Sequence, residues 1–180
     1  MHDILIQAIG YIGVLLFIFS YQIKSNRALF FCQILGSALF CLQFFLLNAL
    51  SGCLNLMVIM FRNGLLMWYD KYLWVRWKGW IVILSAVCTV ILVFTWKGAI
   101  SLLPFAALIA SNVGYWTNNA QKIRLSNLAC ASPCWLLYDI LVGSWGGVLN
   151  ESITLGSIVL SIYRYGWRAM GDPNSEFQKR

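Results

Sequence analysis

Residues 80–96 read WIVILSAVCTVILVFTW, an apolar run without a charged side chain and closed at each end by tryptophan. A helix that crosses a bilayer needs about 20 mostly apolar residues, within a range of roughly 17–25. Tryptophan is favoured where such a helix meets the headgroups. The run therefore predicts a membrane span. Similar runs lie at 4–23, 29–48, 52–68, 102–119, 125–142 and 149–167. Between them stand turn and charge signals: Lys24-Ser25-Asn26-Arg27, 48–52, 70–79, Lys97-Gly98, 118–124 and 143–147. The expected fold is an all-α membrane protein of seven transmembrane helices. The third is the most polar, with Asn55, Arg62 and Asn63.

Composition agrees. Of 180 residues, 61% are hydrophobic and 11% charged, against roughly 45–50% and 25% in a soluble domain. Too little polar surface remains to cover one core, which excludes most soluble enzymes, DNA-binding modules and secreted disulfide scaffolds. The net charge of +7 reports topology here rather than nucleic acid. Cys32, Cys41, Cys53, Cys88, Cys130 and Cys134 all fall in apolar stretches without a CxxC pair, and His2 is the single histidine. They read as small buried hydrophobes; neither a metal site nor redox chemistry is expected.

Lysine and arginine fix the orientation. Lys24, Arg27, Lys71, Arg76, Lys78, Lys122, Arg124, Arg164, Arg168, Lys179 and Arg180 share one side, and Lys97 alone takes the other. Positive loops mark the cytoplasm, so the N-terminus is expected outside and the C-terminus inside. The first run has no basic leader and is too long for a cleaved signal, so it is expected to stay as a span. Residues 168–180 read as a cytoplasmic tail.

The chain also overlays on itself. A shift of 95 positions lays Ser51-Gly52-Cys53-Leu54-Asn55 over Gly146-Gly147-Val148-Leu149-Asn150, and pairs Arg27 with Lys122, Phe40 with Trp135 and Tyr21 with Trp116. Helices one to three would match five to seven in the same orientation, a 3+1+3 parallel repeat. The expected units are residues 1–70, a linker helix in 71–100, and residues 101–167.

The second half carries, in order, Leu102-Leu103-Pro104, Ser111, a Lys122-Ile123-Arg124 loop, Cys134-Trp135, Gly143-Ser144-Trp145-Gly146-Gly147, Glu151-Ser152 and Ile162-Tyr163-Arg164. Together these resemble the YgjV family of bacterial inner-membrane proteins, most sharply between residues 102 and 164. The resemblance implies the compartment, a bacterial inner membrane, and no activity. More loosely, the layout is similar to the PQ-loop and SWEET-like transporters. There a Pro-Gln pair ends the first helix of each repeat; here Tyr21-Gln22 and Trp116-Thr117 stand in its place. SWEET-like proteins hold substrate with an asparagine pair on the third helix of each repeat, which the resemblance carries to Asn55 and Asn150.

Polar residues inside spans are expensive and default to functional roles. Asn55 and Arg62 share a face of helix three. Asn112, Tyr115 and Asn119 recur on helix five, Ser132 and Asp139 on helix six, and Asn150, Thr154, Ser157 and Ser161 on helix seven. The bland alternative is packing: small residues, with Gly36, Gly114 and Gly156, let helices approach. Arg62 can alternatively reach headgroups as a topology charge, and Asp139 and Glu151 can sit in water at the outer ends of their helices. Across a short 143–147 turn, Asp139 and Glu151 can instead meet, share a proton and couple transport to the proton gradient. The candidate substrate site is Asn55, Arg62, Asn112, Tyr115, Asp139, Asn150 and Glu151. No phosphate-binding GK[S/T] loop, G-x-S-x-G elbow or HExxH is present, and helix seven offers no lysine for a Schiff base. No catalysis and no cofactor is expected. The expected partners are the bilayer and a small polar solute, with a homo-oligomer left open and nucleic acid excluded. Two functions stand side by side: a secondary transporter or facilitator, and a non-transporting assembly or envelope-stress protein whose polar residues only pack helices.

Overall fold

A computed structural model describes residues 2–20, 26–69, 71–117 and 120–166. Among these the chain is helical throughout, without strands. We number the helices α1 (His2–Ser20), α2 (Asn26–Leu46), α3 (Leu50–Leu66), α4 (Gly79–Phe94), α5 (Leu102–Trp116), α6 and α7. The sixth runs as Ala120–Ser126, a π turn at Asn127–Ala131, and Ser132–Val142; the seventh is Trp145–Tyr165. The stretches Ala99–Trp116 and Gln121–Val142 are long and apolar enough to cross a bilayer. Ile4–Ser20, Phe30–Leu46, Leu50–Leu66 and Gly79–Phe94 are apolar but shorter. Expected spans 4–23 and 149–167 end outside the described residues, as do Asn119, the 168–180 tail and the Tyr21-Gln22 pair.

Several boundaries differ from the sequence reading, each for a local reason. The 143–147 loop shrinks to two residues. Gly143 adopts the left-handed conformation (φ 75°) that ends a helix without a Cβ penalty. Ser144 then caps α7, its hydroxyl accepting from Gly147 N–H at 3.3 Å. Trp145, Gly146 and Gly147 are already helical. Asn48, at φ 58°, likewise turns the chain so that α3 starts at Leu50 rather than at 52. The Lys122-Ile123-Arg124 stretch is not a loop: with Gln121 and Leu125 it forms the first turns of α6, as good helix formers should. The π turn precedes Pro133, whose ring lacks an N–H and crowds the carbonyl four residues back. An extra residue in the turn relieves that conflict.

Contacts show which turns lie together. Lys97 Nζ donates to the Asn48 carbonyl at 3.0 Å, Tyr138 meets Ser51, and Gln7 reaches the Gly143 carbonyl. The start of α1 and the α2–α3, α4–α5 and α6–α7 turns thus share one end, the Gln43 end. At the other end Trp116 Nε1 donates to the Val75 carbonyl at 3.2 Å, pinning the short 3₁₀ turn Leu73–Arg76 to the close of α5.

Packing within the chain follows a pattern. The second helix lies between α1 and α3, and α6 lies between α5 and α7. Between these triples α1 touches α7 and α3 touches α5, while α4 packs on α3 and α5. The exterior is apolar: Ile4, Leu15, Val82, Val93 and Phe94 are all exposed. The interior mixes apolar clusters around Phe44 and Leu108 with polar groups: Gln43, Ser37 and Asn112 are fully buried. A water-soluble monomer avoids so many large exposed apolar side chains, so the exterior suits a lipid surround.

Candidate functional site

Among the described residues two adjoining cavities open in the interior. The first, about 130 Å³, is lined by Arg62, Tyr115, Asp139, Asn150 and Glu151, together with Gln33, Ser37, Asn63, Asn127, Ser132 and Thr154. The second, about 480 Å³, lies between the ends of α1, α5, α6 and α7 and is lined by Arg124, Ser157 and Ser161. Tyr115, Asn127 and Thr154 border both, so the two are neighbours along the bundle.

Arg62 is 3% exposed. It therefore turns inward rather than reaching headgroups, which corrects the topology-charge alternative. Its Nη1 donates to Ser111 Oγ at 2.8 Å and to Asn112 Oδ1 at 3.1 Å. The guanidinium carbon stands 4.2 Å from the centre of the Tyr115 ring, a cation–π contact that partly replaces lost hydration. Every one of these partners is neutral. Arg62 Nε and Asn112 Nδ2 have no hydrogen-bond partner.

The acids occupy the other part of the first cavity. Asp139 is 2% exposed, so it does not sit in outer water. Its carboxyl lies directly over Gly147, where any Cβ would overlap it, so glycine there is what admits the acid. Asp139 Oδ1 has no partner. Glu151 is half-buried and accepts from Asn150 Nδ2 at 3.0 Å.

Five of the seven expected residues thus line one cavity. Asn112 lies behind it and holds Arg62. Asn55 stands apart: its Nδ2 donates to the Ser51 carbonyl of its own helix at 2.8 Å, and its Oδ1 is unpartnered. Asn55 and Asn150 are therefore engaged differently, one with its own backbone and one with Glu151. The α7 stripe does follow the cavities: Asn150 and Thr154 line the first, Thr154, Ser157 and Ser161 the second. Close packing is the role of Gly36, set against Phe17 and the Gly13 carbonyl, and of Gly114, set against Ser126; Gly156 has open space beside it.

Sequence reasoning missed the cavity wall on α2. Gln33, Ser37, Phe40 and Phe44 all line the first cavity at spacings of four, three and four, the same spacing that marks the α7 stripe. The signal was present but half of it is aromatic. Also missed was a clasp at the Gln43 end. Gln43 donates to Gln7 Oε1 (3.1 Å) and accepts from Ser144 Oγ (3.1 Å), while Gln7 also takes the Trp145 N–H (3.1 Å). Three helices are tied by groups that each look isolated in the sequence. Beside it, Phe44 stacks on Trp135 and meets Tyr138 edge-on, at centroid separations of 6.0 and 5.6 Å. The Tyr138 hydroxyl bonds Ser51 Oγ and accepts the Gly52 N–H, both at 2.9 Å. Among the described residues no group of three or more metal-ligating side chains converges.

No curated protein and no solved structure matches the chain. A family model does: that of Imp-YgjV, described as a bacterial inner membrane protein, matches residues 4–169. With its lipid-suited exterior and its polar residues turned inward, the chain belongs to the Imp-YgjV family of bacterial inner membrane proteins.

Proposed function

We propose that this inner membrane protein is a secondary transporter or facilitator of a small polar solute. In this reading seven helices span the membrane as a 3+1+3 parallel repeat, residues 1–70 and 101–167 around a linker helix in 71–100. The Gln43 end faces outside and the Trp116 end faces the cytoplasm. The observation that carries the reading is the polar cavity holding Arg62, Asp139 and Glu151, continued toward the Trp116 end by the larger cavity under Thr154, Ser157 and Ser161. Helices that only pack need small residues, not three ionisable groups turned onto one cavity.

The layout has its own support. Lys71, Arg76, Lys78, Lys122, Arg124 and Arg164 belong to the Trp116 end, and Lys97 to the Gln43 end. The repeat is supported by reciprocal contacts. A shift of 95 carries Gln43 to Tyr138 and Ala49 to Ser144. The structure has both a Gln43–Ser144 hydrogen bond and a longer one from Tyr138 to the Ala49 carbonyl, 3.4 Å. It also carries Phe44 and Gly52 to Asp139 and Gly147. A Cβ on Gly52 would meet Phe44 at 3.1 Å, as one on Gly147 would meet Asp139. Exchanging the triples likewise turns the α1–α7 contact into α5–α3.

The test is water access. With the six native cysteines replaced by alanine, Ser157→Cys is exposed to a membrane-impermeant maleimide in right-side-out and inverted vesicles. Labelling from the cytoplasmic face is expected. A cysteine inert from both faces would describe a dry bundle and favour the non-transporting alternative.

A further inference from the structure

The first cavity separates ionisable groups that have no partner of opposite sign. Arg62 is almost fully buried, yet its hydrogen bonds go to a hydroxyl and an amide, and its Nε is unpartnered. Asn112 adds a second unused donor on the same side. In the other part of the cavity Asp139 has an unused acceptor oxygen, and Glu151 accepts only from neutral groups, the Asn150 amide and the Ser132 hydroxyl. Among the described residues Arg62 pairs with no carboxylate, and neither acid pairs with a cation. Uncompensated charges in a poorly hydrated interior are costly, and a ligand carrying both signs would compensate both ends at once.

The spacing suits such a ligand. Both α3 and α7 start at the Gln43 end. At 1.5 Å per residue, Arg62 lies about 18 Å along α3 and Glu151 about 9 Å along α7, so their backbones differ in depth by roughly 9 Å. The long arginine side chain shortens that gap. The guanidinium fork matches a carboxylate, with Nε and a terminal nitrogen able to donate in parallel.

We propose that the solute bound here is a small zwitterion, its carboxylate held by Arg62 and its ammonium group by Asp139 and Glu151. This deepens the transporter reading and rests on it, since it names the solute class of that same cavity. A cavity near 130 Å³ admits a compact amino acid but not a nucleotide or an oligosaccharide.

The test is thermal unfolding of the detergent-purified protein with glycine, L-alanine and glycine betaine, set against their half-ligands acetate and methylammonium, and against glycerol. A zwitterion should raise Tm by on the order of 5 °C at a hundredfold excess over Kd. Each half-ligand should do less, and glycerol nothing. Arg62→Lys keeps the charge but loses the fork and should weaken the zwitterion and acetate shifts together. Glu151→Gln should weaken the zwitterion and methylammonium shifts. Stabilisation by glycerol equal to that by the zwitterions, or no shift with any probe, would overturn the assignment. So would zwitterion shifts unaltered in both variants. Because the comparison among probes is made on the unaltered protein, it stands even if a variant fails to fold. If Ser157→Cys still labels when the zwitterion test fails, only the solute class falls; if it does not label, the transport reading falls too.

Discussion

Gly52 and Gly147 stand 95 residues apart, each beneath a side chain from the middle helix of its own half. Phe44 lies over the first, where Tyr138 comes closer still, and Asp139 covers the second. The same contrast recurs around the cavity. Leu56 corresponds to Glu151, and both line it; Arg62 corresponds to Ser157, which lines the neighbouring cavity instead. Residues 1–70 thus supply the buried cation and residues 101–167 both acids. In the proposed repeat, polarity across the cavity comes from divergence between the halves. Neither half alone builds a site of both signs.

That comparison can be broken most sharply at Gly146, the counterpart of Ser51. A Cβ on Gly146 would lie 2.7 Å from the Gly10 backbone, and backbone cannot rotate away as a side chain can. Gly146→Ala should give the largest loss, about 1–3 kcal/mol or more, read as a fall in Tm. In the other half, Ser51→Ala removes one hydrogen bond to Tyr138 and should cost only about 1 kcal/mol.

A smaller effect on stability, but a complete one on activity, is expected from making the second half resemble the first. Glu151→Leu imports the side chain of Leu56. Replacing a carboxyl that has no cationic partner by an apolar group of similar size removes its desolvation cost and strands no partner charge. Tm should therefore hold or rise, while solute binding, read as the ligand-induced Tm shift, should vanish. A retained shift would mean that the halves do not divide the charges as described. The smallest effect belongs to Gly156→Ala. Nothing lies within 4 Å of that site, so the change should gain about 0.5–1 kcal/mol from helix propensity alone.

The helices were legible in the sequence because apolar runs and basic breaks set them, and the α7 stripe because its hydroxyls and amides repeat at helical spacing. The candidate site was legible where charge is rare: Arg62, Asp139 and Glu151 stand out against an apolar background. Three things were not. The turns were read too long, since caps such as Gly143-Ser144 act through dihedral angles and one hydroxyl. The Gln7–Gln43–Ser144 clasp joins residues more than a hundred positions apart, and no local spacing announces it. Asn55 looked equivalent to Asn150 by alignment, yet a carbonyl one turn back in its own helix satisfies its amide first.

The π turn at Asn127–Ala131 carries a consequence of its own. A π turn amounts to one surplus residue in a helix, so it sets the phase of everything after it. Removing a single residue from 127–131 would restore the ordinary winding and rotate the rest of α6 by about 100°. Tyr138 would leave Ser51, and Asp139 would leave the glycine that admits it. The acid's address in the cavity is therefore written eight or more residues upstream, as a count rather than as a contact. Length in that stretch constrains the chain more tightly than the identity of most side chains within it.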